Sequence, residues 1–165
     1  MSPVAAASIR AMMRVALVLL ALTTSSLLAQ EGNWPRWRGP HDNGSATTGT
    51  YPVKWDADSG WRWKTPLPGK GCSTPIVWDR RIFLTSPVDG KDAVLAFDWN
   101  GKPLWQAVLG AERAGKHRNG SGSNSSPVTD GRRIFAYFKS GRLAAMDLEG
   151  KLLWQANLTE RFGKD

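Results

Sequence analysis

The chain writes one ten-residue phrase twice. Ala96–Trp105 reads AFDWNGKPLW, and 49 residues further on Ala145–Trp154 reads AMDLEGKLLW. Ala, Asp, Gly, Lys and Trp hold the same offsets in both. The match extends upstream, where Ser73–Phe83 (STPIVWDRRIF) lies over Ser125–Phe135 (SSPVTDGRRIF) at an offset of 52 without a gap. The change of offset means that the first copy is three residues longer, and the insertion is expected in a loop at Pro87–Asp92. A unit of about 50 residues falls in the range of solenoids and propellers. Such a repeat constrains the fold more than any local propensity, because each unit must bury the same face against its neighbour.

Within each unit the pattern is of short strands. The first unit reads as strands at Ile76–Trp78, Ile82–Ser86, Ala93–Asp98 and Pro103–Leu109. The second reads as Val128–Thr129, Ile134–Lys139, Leu143–Asp147 and Leu152–Leu158. Asn100-Gly101, Asp130-Gly131, Ser140-Gly141 and Glu149-Gly150 supply hairpin turns, since glycine tolerates the positive φ that such turns need. The sequence from Gln30 onward shows no sustained 3.6-residue apolar period. Four short antiparallel strands per unit describe the blade of an all-β propeller.

The phrase has a physical reading. Asp98 and Asp147 end the third strand, where a carboxylate accepts hydrogen bonds from turn N–H groups. Gly101 and Gly150 let the chain reverse, and Ala96 and Ala145 leave room for a large neighbour on their face. Trp105 and Trp154 then fall on the outermost strand, placed to pack across to the adjacent blade and to bury on the order of 200 Å² each. A partial third copy stands upstream in DSGWRWKTPL, Asp58–Leu67, which aligns Trp63 with Trp105 and Trp154.

The phrase resembles the docking motif of the PQQ-like (pyrroloquinoline quinone) propeller repeat, A-x-D-x-x-T-G-K-x-x-W. Here the threonine is absent and the turn is one residue shorter. The form is similar to that of BamB-like outer-membrane assembly propellers and of large secreted bacterial PQQ-like propellers. NWPRWRGPHDNG at Asn33–Gly44 is similar to the W-P-x-W-R-G-P-x-x-x-G lead-in of the latter group. The resemblance covers most of Trp34–Leu158. It implies closed rings of seven or eight blades, whereas this sequence carries two complete units and one orphan outer strand, Trp61–Leu67. The chain is therefore expected to be the N-terminal part of a longer propeller whose remaining blades lie elsewhere in the polypeptide.

The boundaries follow. Arg10 and Arg14, the apolar run Val15–Leu22 and the small residue Ala29 have the order of a secretory signal peptide over residues 1–29. The run is too short to span a bilayer. No cysteine follows it, so a lipid anchor on cysteine is not expected. That leaves 136 residues: a lead-in segment, 30–60, and the repeats, 61–165, with blades at about 72–109 and 125–158. The expected location is secreted or periplasmic, with no membrane span after cleavage. The net charge is +8, or +6 without the two leader arginines, but the basic residues are scattered and carry no interleaved aromatics. Nucleic acid is not the expected partner. The single cysteine, Cys72, permits no internal disulfide and reads as a packing residue rather than a nucleophile.

Candidate sites are few. The loop GAERAGKHRNGSGSN, Gly110–Asn124, is long, basic and glycine-rich, and Lys116, His117, Arg118 and Asn119 are the candidate ligand residues, for an anionic or carbohydrate ligand. Its bland alternative is a solvated connector. Neither His41 nor His117 has a second ligand at metal spacing, so no zinc site is expected. Trp34 and Trp37 read as a segment pressed onto the propeller, with carbohydrate stacking the alternative. The resemblance also raises the quinone cofactor: quinoprotein dehydrogenases of this fold are known for adjacent cysteines, a tryptophan floor and acidic and amide ligands for calcium. This sequence has one cysteine and no evident carboxylate cluster, so neither quinone nor calcium is expected on it, and no catalytic residue is assigned. The expected function is a scaffold or binding module for an unidentified protein, carbohydrate or small molecule. The alternative is a quinone-dependent oxidoreductase with its catalytic residues in other blades.

Overall fold

Tight turns set the first sheet. Asp79 (φ 50°) and Arg80 (φ 59°) both occupy the left-handed region, as do Asp89 (φ 48°) and Gly90 (φ 70°). Paired left-handed residues are the signature of the two-residue hairpin turn whose twist matches that of its flanking strands. The computed structural model describes residues 32–46, 49–113, 115, 118 and 120–163. Strands β1 (Ile76–Trp78), β2 (Arg81–Val88), β3 (Lys91–Asp98) and β4 (Pro103–Ala111) form one four-stranded antiparallel sheet in sequence order. Strands β5 (Val128–Thr129), β6 (Arg133–Tyr137), β7 (Arg142–Asp147) and β8 (Leu152–Asn157) form a second of the same order. These are two blades of a β-propeller, blade 1 and blade 2.

The insertion in the first copy is not a loop. Pro87 and Val88 continue β2 and pair with Asp92 and Lys91 of β3. Only Asp89 and Gly90 turn, so the extra residues lengthen a hairpin that in blade 2 turns at Phe138–Gly141. An antiparallel pair absorbs added residues as further rungs whenever both new stretches have partners. At the other end, β8 stops at Asn157 and not at Leu158. The Asn157 side chain accepts from the Thr159 and Glu160 N–H groups, capping a short helix, α1 (Leu158–Phe162). Trp61–Leu67 joins no ladder among the described residues.

Two rungs explain the alanines. Ile76, Phe83, Ala96 and Trp105 stand side by side across blade 1, and Val128, Phe135, Ala145 and Trp154 across blade 2. The fully buried alanine sits between the two rings, which approach to 5.8 Å in blade 1 and 6.3 Å in blade 2. This face is the front of each blade. The core forms where the front of blade 1 (Ile76, Phe83, Val94, Ala96, with Trp105) meets the back of blade 2 (Ile134, Ala136, Phe138, Ala144, Met146). The back of blade 1 carries a second cluster built on Leu84, Ala93, Leu95 and Phe97. Far-ultraviolet circular dichroism of the protein should be dominated by β-structure; pronounced helical minima would contradict this architecture.

The lead-in segment stitches the first strands. Trp34 and Val77 exchange backbone hydrogen bonds at 2.8 and 2.9 Å, and the Thr129 N–H donates to the Pro35 carbonyl at 2.9 Å. One short stretch thus borders both β1 and β5, the strand edges that face the axis when a propeller closes.

Candidate functional site

The junction between the blades is built from the repeated phrase. Asp98 Oδ1 accepts from the N–H groups of Asn100 and Lys102 at 2.8 and 3.0 Å. Asp147 Oδ1 accepts from those of Glu149 and Lys151 at 3.1 and 2.8 Å. Each carboxylate therefore fixes a turn whose next carbonyl points outward. Trp105 of blade 1 donates from Nε1 to one of these, Leu148 O of blade 2, at 3.1 Å. Arg81 Nη1 donates to the same carbonyl at 3.0 Å and pairs with Glu149 at 3.0 Å. The indole of Trp105 lies on Gly150, where an added Cβ would come within 2.6 Å of the ring. The glycine thus serves both its φ of +85° and the contact with the ring.

Trp63 makes the same contact one step earlier. Its Nε1 donates to Trp99 O at 3.1 Å, its ring covers Gly101, and Thr65 Oγ1 donates to Gly101 O at 2.7 Å. Trp154 has the equivalent place on blade 2 and is 43% exposed. A further ring-on-glycine contact escaped the sequence reading: Trp78 lies on Gly131 of the second blade. Its counterpart in blade 2 is Asp130, so the repeat gave no hint of it.

At the opposite end the connector is held by residues one repeat apart. The Cys72 N–H donates to Asn124 Oδ1 at 3.3 Å, and the Thr74 N–H to Ser126 Oγ at 2.9 Å; each pair is separated by 52 residues. Thr85 Oγ1, buried in the front of blade 1, lies 3.0 and 2.8 Å from the Ser123 and Ser125 carbonyls. Residues 123–126 are therefore bound into the junction. Of the candidate ligand residues, Arg118 is exposed, while Lys116, His117 and Asn119 lie outside the described residues, as does the expected signal peptide. A cleft of about 500 Å³ beside the connector is lined, among the described residues, by Arg113, Ser121, Asn124, Ser125, Tyr137 and Lys139, two cations and a phenol.

Between the connector and the blades lies a polar cluster that the sequence did not announce. Asp92, at the start of β3, is fully buried, and Ser140 Oγ of the blade 2 turn donates to its Oδ2 at 2.5 Å. Arg142 of β7 packs on Gly110 and donates to Gln155 at 3.2 Å. Asp92 Oδ1, Glu112 Oε2, Ser123 Oγ and Arg142 Nε are buried and find no hydrogen-bond partner among the described residues. Burial raises the Asp92 pKa, and repulsion from Glu112 adds to the rise, against the Ser140 hydroxyl and the Arg142 charge. A carboxyl whose pKa is higher folded than unfolded contributes stability that is complete below its unfolded pKa and is lost as pH rises through the folded one. The contribution of Asp92 should thus fall with rising pH through and just above the ordinary carboxylate range, against the opposite slope from Asp56 and Asp130, whose turn N–H groups lower their pKa values. Asp92→Asn should remove that contribution from the slope of thermal melts against pH, whereas an unchanged slope would show that Asp92 does not contribute to it.

The two sheets, their order and their front-to-back contact define a β-propeller of four-stranded blades. A family model described as outer membrane protein assembly factor BamB, PQQ_2, matches residues 44–165, and the chain belongs to this family of PQQ-repeat propellers. No curated protein sequence matches it. Among solved structures it is similar to the quinohemoprotein alcohol dehydrogenase from Comamonas testosteroni, at 19% identity and a TM-score of 0.42. That match covers 56% of this chain and only 14% of the dehydrogenase.

The family name raises quinone and calcium again. Calcium takes six to eight oxygen ligands, several of them carboxylate. Among the described residues no three His, Cys, Asp or Glu side chains converge on one point. The inner edges of β1 and β5 are bordered by the chain's own Trp34 and Pro35. Among the described residues, too, no helix is long and apolar enough to cross a membrane.

Proposed function

We propose that the protein is a propeller scaffold or binding module that acts outside the cytoplasm, in the periplasm or after secretion. The observation that carries this reading is the use of the repeated residues: Asp98, Asp147, Trp63 and Trp105 are engaged in turns and in contacts between segments. The order of features in residues 1–29 supports export, and the cationic cleft beside Tyr137 supports an anionic or hydroxyl-rich ligand.

The test against quinone-dependent oxidoreduction is thermal. A ligand that binds only the folded state stabilises it by about 2.7 kcal/mol at a hundredfold excess over its dissociation constant. Pyrroloquinoline quinone with calcium should leave the melting temperature of this chain unchanged. A clear upward shift would favour the oxidoreductase reading.

A further inference from the structure

The polar cluster at the seam of the two blades leaves a definite set of bonds to be made. Four buried groups there have no partner among the described residues: Asp92 Oδ1, Glu112 Oε2, Ser123 Oγ and Arg142 Nε. Asp92 and Ser123 are both fully buried.

The register brings the four together. Asp92 pairs with Gly110 across β3 and β4, so the two share the front face of blade 1. The ladder runs one bond past β4, from the Glu112 N–H to the Gly90 carbonyl at 3.0 Å, and alternation puts Glu112 on the same face. Arg142 of blade 2 lays its guanidinium on Gly110, in the space that any side chain there would fill. Thr85, the diagonal neighbour of Asp92 on that face, holds the Ser123 carbonyl at 3.0 Å. The site is walled by two blades and the connector between them. Further blades in the polypeptide would leave it as it is.

The other polar atoms of the cluster are already engaged. Asp92 Oδ2 accepts from Ser140, and Arg142 Nη1 donates to Gln155. Two acceptors remain, the carboxylate oxygens, and two donors, the Arg142 Nε–H and the Ser123 hydroxyl. A cation at this point would be repelled by the guanidinium, and an anion by the two carboxylates. A water molecule offers two donors and two acceptors, and buried waters make about three such bonds, with a range of about two to four.

We propose that one buried water occupies this point, donating to Asp92 and Glu112 and accepting from Arg142 and Ser123. It joins β3, the residue that follows β4, the end of the connector and β7. Glu112 opens the connector and Ser123 lies near its far end, so one molecule ties both ends of that loop to blade 2. It fixes where the connector leaves one blade and where it enters the next. The site therefore positions the connector whatever the connector binds, and it does not rest on the scaffold reading.

High-resolution crystallography of the full chain tests the site directly. A single peak should stand about 2.7–3.2 Å from all four atoms. A peak in contact with oxygens alone, at about 2.3–2.6 Å, would mark a cation and overturn the proposal. So would an empty point, or a direct bond from Arg142 Nε to either carboxylate. Amide hydrogen exchange reads the same site in solution. The Lys139 N–H donates to the Gly122 carbonyl at 3.1 Å and reports on the connector's end. Ser123→Ala and Glu112→Ala should each speed its exchange about tenfold, and the double variant little further, because both lose the same water. Effects that multiply to about a hundredfold in the double variant, or no effect in either single one, would overturn the shared water. The crystal of the unaltered chain decides the matter should a variant fail to fold.

Discussion

Trp105→Ala should destabilise the protein by about 3 kcal/mol, the lower end of the range for large aromatic truncations, because the indole is half-buried. Three losses contribute. The ring leaves Phe83, from which it stands 5.8 Å, and uncovers Gly150. Leu148 O loses one of two donors but keeps Arg81. The front of blade 1 loses a residue that reaches onto the Asp147–Gly150 turn of blade 2. Trp99 is the internal control. It occupies a variable slot of the same phrase, is 37% exposed, and takes part in docking only through its backbone carbonyl, which survives substitution. Trp99→Ala should therefore cost less than about 1 kcal/mol, as surface changes do. Denaturant melts of both variants measure the difference, and equal costs would mean that the phrase does not join the blades through Trp105.

Gly150→Ala should cost about 2–4 kcal/mol. Part is backbone strain, since Gly150 has a φ of +85°, where a non-glycine residue costs of order 1–3 kcal/mol. The rest is steric, since the new methyl would stand 2.6 Å from the Trp105 ring and force it off the turn. Gly90→Ala isolates the first part. It also has a positive φ, +70°, but an added Cβ there meets nothing within 4 Å. It should cost about 1 kcal/mol, and Gly150→Ala in a Trp105→Ala background should fall towards that value. Chemical denaturation of the four variants completes the cycle. Equal costs for Gly90→Ala and Gly150→Ala would leave the ring contact without energetic weight.

Pattern and neighbour divide the rest between them. The fold class was legible because the repeat is long and each strand sits between turn residues with few alternatives: Asn100-Gly101 and Glu149-Gly150 can reverse a chain in few ways, and alternation fixes which side chains share a face. Ala96 could be read as space for a large residue because its neighbours on the rung recur with it. The insertion was misplaced in a loop because sequence counts residues and not partners. Pro87 and Val88 became strand only because Asp92 and Lys91 stood opposite them. The seam chemistry lay further from reach. Asp92, Ser140 and Arg142 come from different blades, and nothing periodic marks them, since Asp92 belongs to the unrepeated insertion. The pairing of Cys72 with Asn124 and of Thr74 with Ser126 was present as the offset of 52 itself, but only the stacking of one blade on the next turned equivalent positions into neighbours. By itself the sequence determined the unit, its turns and its inward faces, because these depend on local geometry and on alternation along one strand. The tertiary structure decided which turn each tryptophan covers and which carboxylate is buried, because those depend on contacts between segments that no local pattern encodes.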